Sequence, residues 1–303
     1  MPAPDLLHRA VGEWYRANAR NLPWRKAPYL GDPYAVLVSE VMLQQTQVDR
    51  TVPKFLEWMA LYPRVEDLAE ASVADIITLW SGMGYNNRAV RLHRLAQAVV
   101  VEHGGRIPSS VAELRALPGI GPYTAAAVAC FAFDDHIPVL DTNIYRVLSR
   151  VHHGTKAPPR SAIDTVAVGL VPPPEAQLSP SHWHQALMDI GGTICTVAAP
   201  RCMLCPLRDH CAAAPELQAG GNRKLAEASV PYAPKQSKFA GSTRFYRGRI
   251  VDALRAANGT PIPISSLTAT FPDEPVRVNW ESIIDGLLKD GLAVREGDSL
   301  RLP

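Results

Sequence analysis

The chain has 303 residues, 47% of them hydrophobic, enough for about two domains with cores of their own. Thirty-one Lys and Arg stand against 29 Asp and Glu, a net charge of +2, so total charge neither demands nor excludes a nucleic-acid partner. No stretch approaches the roughly 20 apolar residues of a membrane span, and the opening MPAPDLLHRAV lacks an apolar signal region, so the chain reads as cytosolic with reduced cysteines.

Apolar spacing near 3.6 predicts helices over 5–18, 33–45, 50–61, 73–81, 86–104, 110–116, 123–133, 143–153, 161–170 and 181–192, many separated by Pro or Gly. In the second of these, YAVLVSEVMLQ, Glu40 is surrounded by Val36, Leu37, Val41 and Leu43. A partly buried carboxyl there has a raised pKa and suits a general acid; the plainer reading is a solvent-facing Glu, or one paired to an Arg such as Arg25. Further on, Leu117-Pro118-Gly119-Ile120-Gly121 joins two helices, and two glycines there let backbone N–H groups approach a phosphate without a Cβ in the way. Asp141 opens the helix NIYRVLSRV, where it is either a cap or a fixed carboxylate able to face a developing cation.

Cys195, Cys202, Cys205 and Cys211 follow with the spacing C-x6-C-x2-C-x5-C. Thiolates this close can converge on one metal centre; one CxxC with wider flanking gaps suits a four-thiolate iron–sulfur cluster better than structural zinc, which stays the alternative. Cys130, inside AAAVACFAF, reads as a core residue. Residues 216–243 are rich in Pro, Gly, Ser and Lys and mark a linker. Beyond it, RGRIVDALRAAN and PISSLTATF read as helices and VNWESIIDGLLKDGLAVREGDSLRLP as a third running into a hairpin, a winged-helix pattern. Basic residues gather in RANARNLPWRKAP, NNRAVRLHR, PLRDH, GGNRK and STRFYRGR, either to meet phosphates or as ordinary solvated surface.

A glycine hairpin, an Asp leading a helix and a four-cysteine run together resemble the helix–hairpin–helix DNA glycosylase superfamily. The stretch LPWRKAPYLGDPYAVLVSEVMLQQTQV is similar to the adenine DNA glycosylases of the MutY type, and the resemblance runs over about residues 8–215. It implies a mainly α fold of two helical subdomains, a 4Fe-4S cluster on the four cysteines, and double-stranded DNA bearing a mismatch or lesion as substrate, with the target base flipped into a pocket. Glu40 would protonate the adenine at N7, and Asp141, positioned with Asn143, would stabilise the oxocarbenium ion. Tyr123 stands where related lyases place an amine nucleophile, so the chain is expected to be monofunctional. Trp24, Arg25, Leu43 and Gln185 match residues lining the adenine pocket; Gln45, Thr46, Met83 and Tyr85 match those that fill the gap in the stack and touch the opposite base. Leu117, Gly119 and Gly121 would grip backbone.

The expected layout is a catalytic domain over 1–215 (a six-helix subdomain over about 30–135 and a cluster subdomain from 1–29 plus 136–215), a linker over 216–243 and a winged-helix-like domain over 244–303. A bacterial, nucleoid-associated monomer without membrane attachment is the expected setting. Two departures bear on the substrate. Asn86 stands where the family usually has a second aromatic, and residues 240–303 are too few for its usual 8-oxoguanine-recognition domain. Thymine or uracil opposite guanine is the rival substrate, and an iron–sulfur DNA-binding regulator the rival of another class.

Overall fold

The computed structural model describes residues 3–156, 158–219, 238–271 and 278–303, and most of the expected linker lies outside them. These residues fall into two compact units: one within Met1–Val36, Ser109–Val111 and Gly121–Pro234, the other within Leu37–Pro108, Ala112–Ile120 and Lys235–Pro303. No helix among them is long and apolar enough to cross a membrane.

The first unit contains α1 (Pro4–Asn18), α8 (Pro122–Phe133), α9 (Thr142–His153), α10 (Arg160–Gly169), α11 (Pro180–Thr193) and, after the cysteines, α12 (Ala214–Gln218). Local sequence sets its boundaries. Asp141 caps α9, Ser179 caps α11 by accepting from the His182 N–H at 3.2 Å, and Pro180 fills the first helical position, where a missing N–H costs nothing. The core forms where α1 meets α9 and α11: Leu7, Val11, Ile144, Leu148, Trp183, Leu187 and Ile190 are buried together, and Cys195, Cys205 and Cys211 pack against the same cluster. His8 ties α1 down through a 3.0 Å hydrogen bond between Nε2 and the Leu170 carbonyl. Cys130 is fully buried, as its surroundings implied.

The second unit holds most of α2 (Pro33–Leu43) and α7 (Val111–Ala116), with α3 (Val48–Leu61), α4 (Val65–Glu70), α5 (Val73–Leu79) and α6 (Asn87–His103) between. At six residues, α4 is too short to announce itself by periodicity, yet it packs closely along α6. The same unit contains α13 (Thr243–Ala256), β1 (Ile262–Pro263), α14 (Ile264–Ala269), α15 (Trp280–Asp290), β2 (Val294–Glu296) and β3 (Ser299–Arg301). Its antiparallel sheet runs β1-β3-β2, pairing Ile262 with Leu300 and Val294 with Arg301, and this is a winged helix in element order. The two-residue β1 is the part of it that periodicity does not reveal. Among the described residues the core of this domain is shared: Tyr246, Ile250, Leu254, Leu287 and Leu300 are buried in one cluster with Ile77 of α5 and Val90 of α6.

Candidate active site

Asp141 heads α9, where its Oδ1 accepts the Ile144 N–H and its Oδ2 the Asn143 side-chain amide, both at 2.7 Å. Arg146 lies one turn on and donates to Asn143 Oδ1 at 2.9 Å. The same guanidinium donates to the carbonyls of Gly191 and Cys195, each at 2.7 Å. A chain of hydrogen bonds therefore runs from the cysteine segment to the carboxylate. Desolvation raises the Asp141 pKa above its ordinary value, against the opposing pull of these donors and of the Arg146 charge. Gly191 makes the approach of α9 to α11 possible, because a Cβ there would lie 2.6 Å from Asn143 Cβ. Arg146, at i+3 from Asn143, could have been found from helical spacing; Gly191 carries no local signal.

Arg25 and Gln185 belong to a second polar group in the same unit. Arg25 Nη1 pairs with Asp189 Oδ2 at 2.7 Å, and the Arg20 N–H donates to that oxygen at 3.1 Å. One turn back on α11, Gln185 accepts from the Tyr15 hydroxyl at 2.7 Å and donates to Ser181 Oγ at 3.1 Å, which fixes which way its amide faces. Burial raises the Tyr15 pKa, opposed by the nearby Arg25 charge. Trp24 is buried in the short turn Pro23–Arg25 beside these groups in sequence. Asp189 and Tyr15 were missed by sequence reasoning, although Asp189 sits at i+4 from Gln185.

In the second unit Glu40 is only 7% exposed, on α2 between Ser39 and Val41, which are also buried. Leu43 ends that helix, part-buried, and Gln45 and Thr46 lie in the turn beyond it. Gln45 and Tyr85 both have positive φ, 58° and 45°, a conformation that costs a non-glycine residue roughly 1–3 kcal/mol and marks segments held by their surroundings. What holds them is Arg88. Its Nη1 donates to the carbonyls of Val41, Met42 and Gln44 at 2.9, 3.0 and 2.6 Å. Its Nη2 donates to Thr46 Oγ1, Met83 O and Gly84 O at 3.0, 3.0 and 3.1 Å. Burial lowers its pKa to about 10. Sequence reasoning counted this residue among possible phosphate-binding cations; the structure buries it as the brace between two loops. Met83 is 3% exposed and underpins its loop, whereas Tyr85 protrudes at 36%.

The hairpin between α7 and α8 has Leu117 buried and Gly119 at φ 84°, which a side chain would strain. Gly121 caps α8 and has open space where a Cβ would be. Tyr123, in the first turn of α8, packs against the buried Ala127, Cys130 and Val139 with its side chain part-exposed.

Cys195, Cys202, Cys205 and Cys211 line one small cavity with Ile194, Ala214 and Leu217. Arg150, almost fully buried, donates to Cys195 Sγ at 3.2 Å and to the Thr196 carbonyl at 2.9 Å. Burial raises the thiols of Cys202 and Cys211 and pushes that of Cys205 to about 12, so without a metal they hold their protons at neutral pH. Among the described residues no three His, Cys, Asp or Glu side chains are gathered about a single ion position. The donor set is nonetheless all thiol, within a largely apolar wall.

The first unit thus gathers Asp141 with Asn143, places Arg25 and Gln185 in one polar group, and holds Trp24, Tyr123, Gly121 and the cysteines. The second holds Glu40, Leu43, Gln45, Thr46, Met83, Tyr85, Leu117 and Gly119.

Residues 38–173 match the family model of the HhH-GPD superfamily base excision DNA repair proteins. Two solved structures share the architecture. A thermostable thymine-DNA glycosylase matches at TM-score 0.63 and 27% identity, covering 70% of this chain and 97% of its own; a DNA-trapped endonuclease III matches at 0.57 and 20%, covering 72% and 100%, a likeness of fold. The class is therefore that of helix–hairpin–helix base excision DNA repair enzymes. Among curated relatives, the adenine DNA glycosylase of Mycolicibacterium smegmatis is 36% identical over 288 residues, 94% of this chain and 92% of the relative. The chain belongs to the adenine DNA glycosylase family. An alignment that leaves out only about 6% of the chain takes in most of 244–303.

Proposed function

We propose that the chain is a monofunctional glycosylase that flips adenine mispaired with 8-oxoguanine or guanine out of double-stranded DNA and hydrolyses its N-glycosidic bond. Glu40 gives its proton to adenine N7, the C–N bond breaks with its electron pair leaving on the base, and the sugar becomes an oxocarbenium ion. The Asp141 carboxylate, steadied by Asn143 and Ile144, stabilises that cation until water adds to it and loses a proton. Tyr123 offers no amine, so no Schiff base forms and the abasic strand stays intact. The observation that supports this reading most is the network at Asp141: a helix cap needs the Ile144 N–H alone, whereas here the Asn143 amide, itself held by Arg146, also donates to the second carboxylate oxygen.

The four cysteines suit a 4Fe-4S cluster, which would cross-link the segment carrying the Cys195 carbonyl that Arg146 holds. Hydrolysis needs no electron from it. The enzyme acts as a monomer in the cytoplasm, on the nucleoid.

Single-turnover cleavage of a panel of duplexes with A opposite 8-oxoguanine, A opposite G, T opposite G and U opposite G tests the reading. Release of adenine is the expected result, and Glu40→Gln reduces it by ~10² or more while DNA binding persists. Release of thymine or uracil instead would install the rival substrate. Tight binding with no cleavage of any duplex would point to a regulator.

A further inference from the structure

Within the second unit a groove of about 750 Å3 lies between the loop over 82–86 and α13, and the exposed ring of Tyr85 stands at its edge. An aromatic ring so placed suits the face of a base in an opened duplex, provided the ring is held. Its own segment supplies little of that hold. Gly82 and Gly84 have φ of 83° and 68°, with nothing within 4 Å of where a Cβ would be, so packing on that side fixes neither. Arg88 donates to the carbonyls of Met83 and Gly84, and the Trp80 ring N–H donates to Gly84 O at 3.1 Å. These bonds tie down the backbone and leave the tyrosine hydroxyl to another partner.

That partner is α13. Arg244, in its first turn, donates through Nη1 to the Tyr85 hydroxyl at 2.7 Å, and its guanidinium lies 5.8 Å from the centre of the ring. Arg255, about three turns further on and so on the same face, donates through Nη2 to Asn86 Oδ1 at 2.9 Å, which sets α13 in register with the loop. The helix is anchored without the tyrosine: Ile250, Val251 and Leu254 are buried with Ile77 and Val90, and Arg255 donates twice to the Ile77 carbonyl, at 3.0 and 2.8 Å. One hydrogen bond to a protruding phenol adds little to docking beside the burial of those side chains, whereas it decides where the ring points.

We infer that α13 positions Tyr85 for the opened duplex: Arg244 is a positioning residue that acts through the phenol, and the C-terminal domain thereby takes part in telling a mismatch from a matched pair. The inference rests on the glycosylase reading for its DNA partner. A ring already held in place does not have to be ordered when the base leaves the stack, so the gain falls on duplexes that open and not on those that stay closed. A charge acting on phosphate would behave differently, because it strengthens binding to matched and mismatched duplexes alike.

The test uses the full chain carrying Glu40→Gln, so that substrate survives, and reads its affinity for a duplex with A opposite 8-oxoguanine divided by that for the same duplex with A opposite T. Tyr85→Phe keeps the ring and removes the acceptor; Arg244→Met removes the donor. Tyr85 is exposed and Arg244 part-exposed, so both variants are expected to fold. Each is expected to lower the ratio about 3- to 10-fold, the range that one hydrogen bond of ordinary net strength spans. The double variant is expected to lie no lower than the worse single one, because both changes break the same bond, and this pairwise comparison holds whatever else Arg244 touches. An unchanged ratio in Tyr85→Phe or in Arg244→Met overturns the inference, as does a double variant in which the two losses multiply. If the parent binds both duplexes equally, the glycosylase reading falls and the inference with it; if the parent prefers the mismatch and only the variants disagree, the inference alone falls.

Discussion

Replacing Asp141 by Asn separates its two possible roles, because the amide keeps an oxygen for the Ile144 N–H but loses the charge. Asn and Asp are near-equal N-caps, so the cap itself is preserved. The bond from the Asn143 amide is lost, since two NH2 groups would then face each other while Asn143 Oδ1 stays engaged by Arg146. A hydrogen bond to a charged group is worth ~1.5–3 kcal/mol, and the relief of burying that charge offsets part of it, leaving a net loss of about 1 kcal/mol at most. The sign of the pH dependence follows from the raised pKa. A carboxylate whose folded pKa lies above its unfolded one contributes stability below the unfolded value, and loses it as pH rises through the folded value. Wild type therefore loses stability relative to Asp141→Asn over that window, while excision, which needs the carboxylate, gains rate over it. Loss of the charge facing the oxocarbenium ion is expected to cost ~10²–10³ in single-turnover rate. Urea melts from pH 3 to 8 and excision rates over the range where the protein stays folded check both halves. An Asp141→Asn protein that cleaves like wild type would reduce Asp141 to a helix cap.

Arg88→Met is expected to melt earlier by ~3–5 kcal/mol, the scale for removing one partner of a buried charged network, because five carbonyls and Thr46 lose their donor; a melt within 1 kcal/mol of wild type would refute the brace. Gly191→Ala should cost ~1–3 kcal/mol by overpacking and slow excision by displacing Asn143, whereas Gly192→Ala, with nothing within 4 Å, should do neither, and paired melts and rates decide it. Purified protein should contain about four irons per chain, and Cys202→Ser should lose iron and fold stability before the rate of any correctly folded fraction changes; stoichiometric zinc without iron would contradict the cluster.

The positions legible in the sequence are those whose chemistry is tied to local spacing. Asp141 is both cap and carboxylate because it heads a helix, and the glycine at 119 is needed by its own backbone. Arg88 and Gly191 were illegible for the opposite reason: each acts on residues far along the chain, Arg88 on 41–46 and Gly191 on Asn143, and no periodicity records such a meeting. The same holds for the C-terminal domain, whose helices and hairpin were readable while its attachment was not. Ile77 of α5 and Val90 of α6 are buried in a cluster with α13 and α15, which no helical periodicity of their own elements records. Asn86, next to Tyr85, accepts at its Oδ1 from Arg255 of α13 at 2.9 Å. A polar side chain after Tyr85 thus gives α13 an anchor, and Arg244 of the same helix donates to the tyrosine hydroxyl.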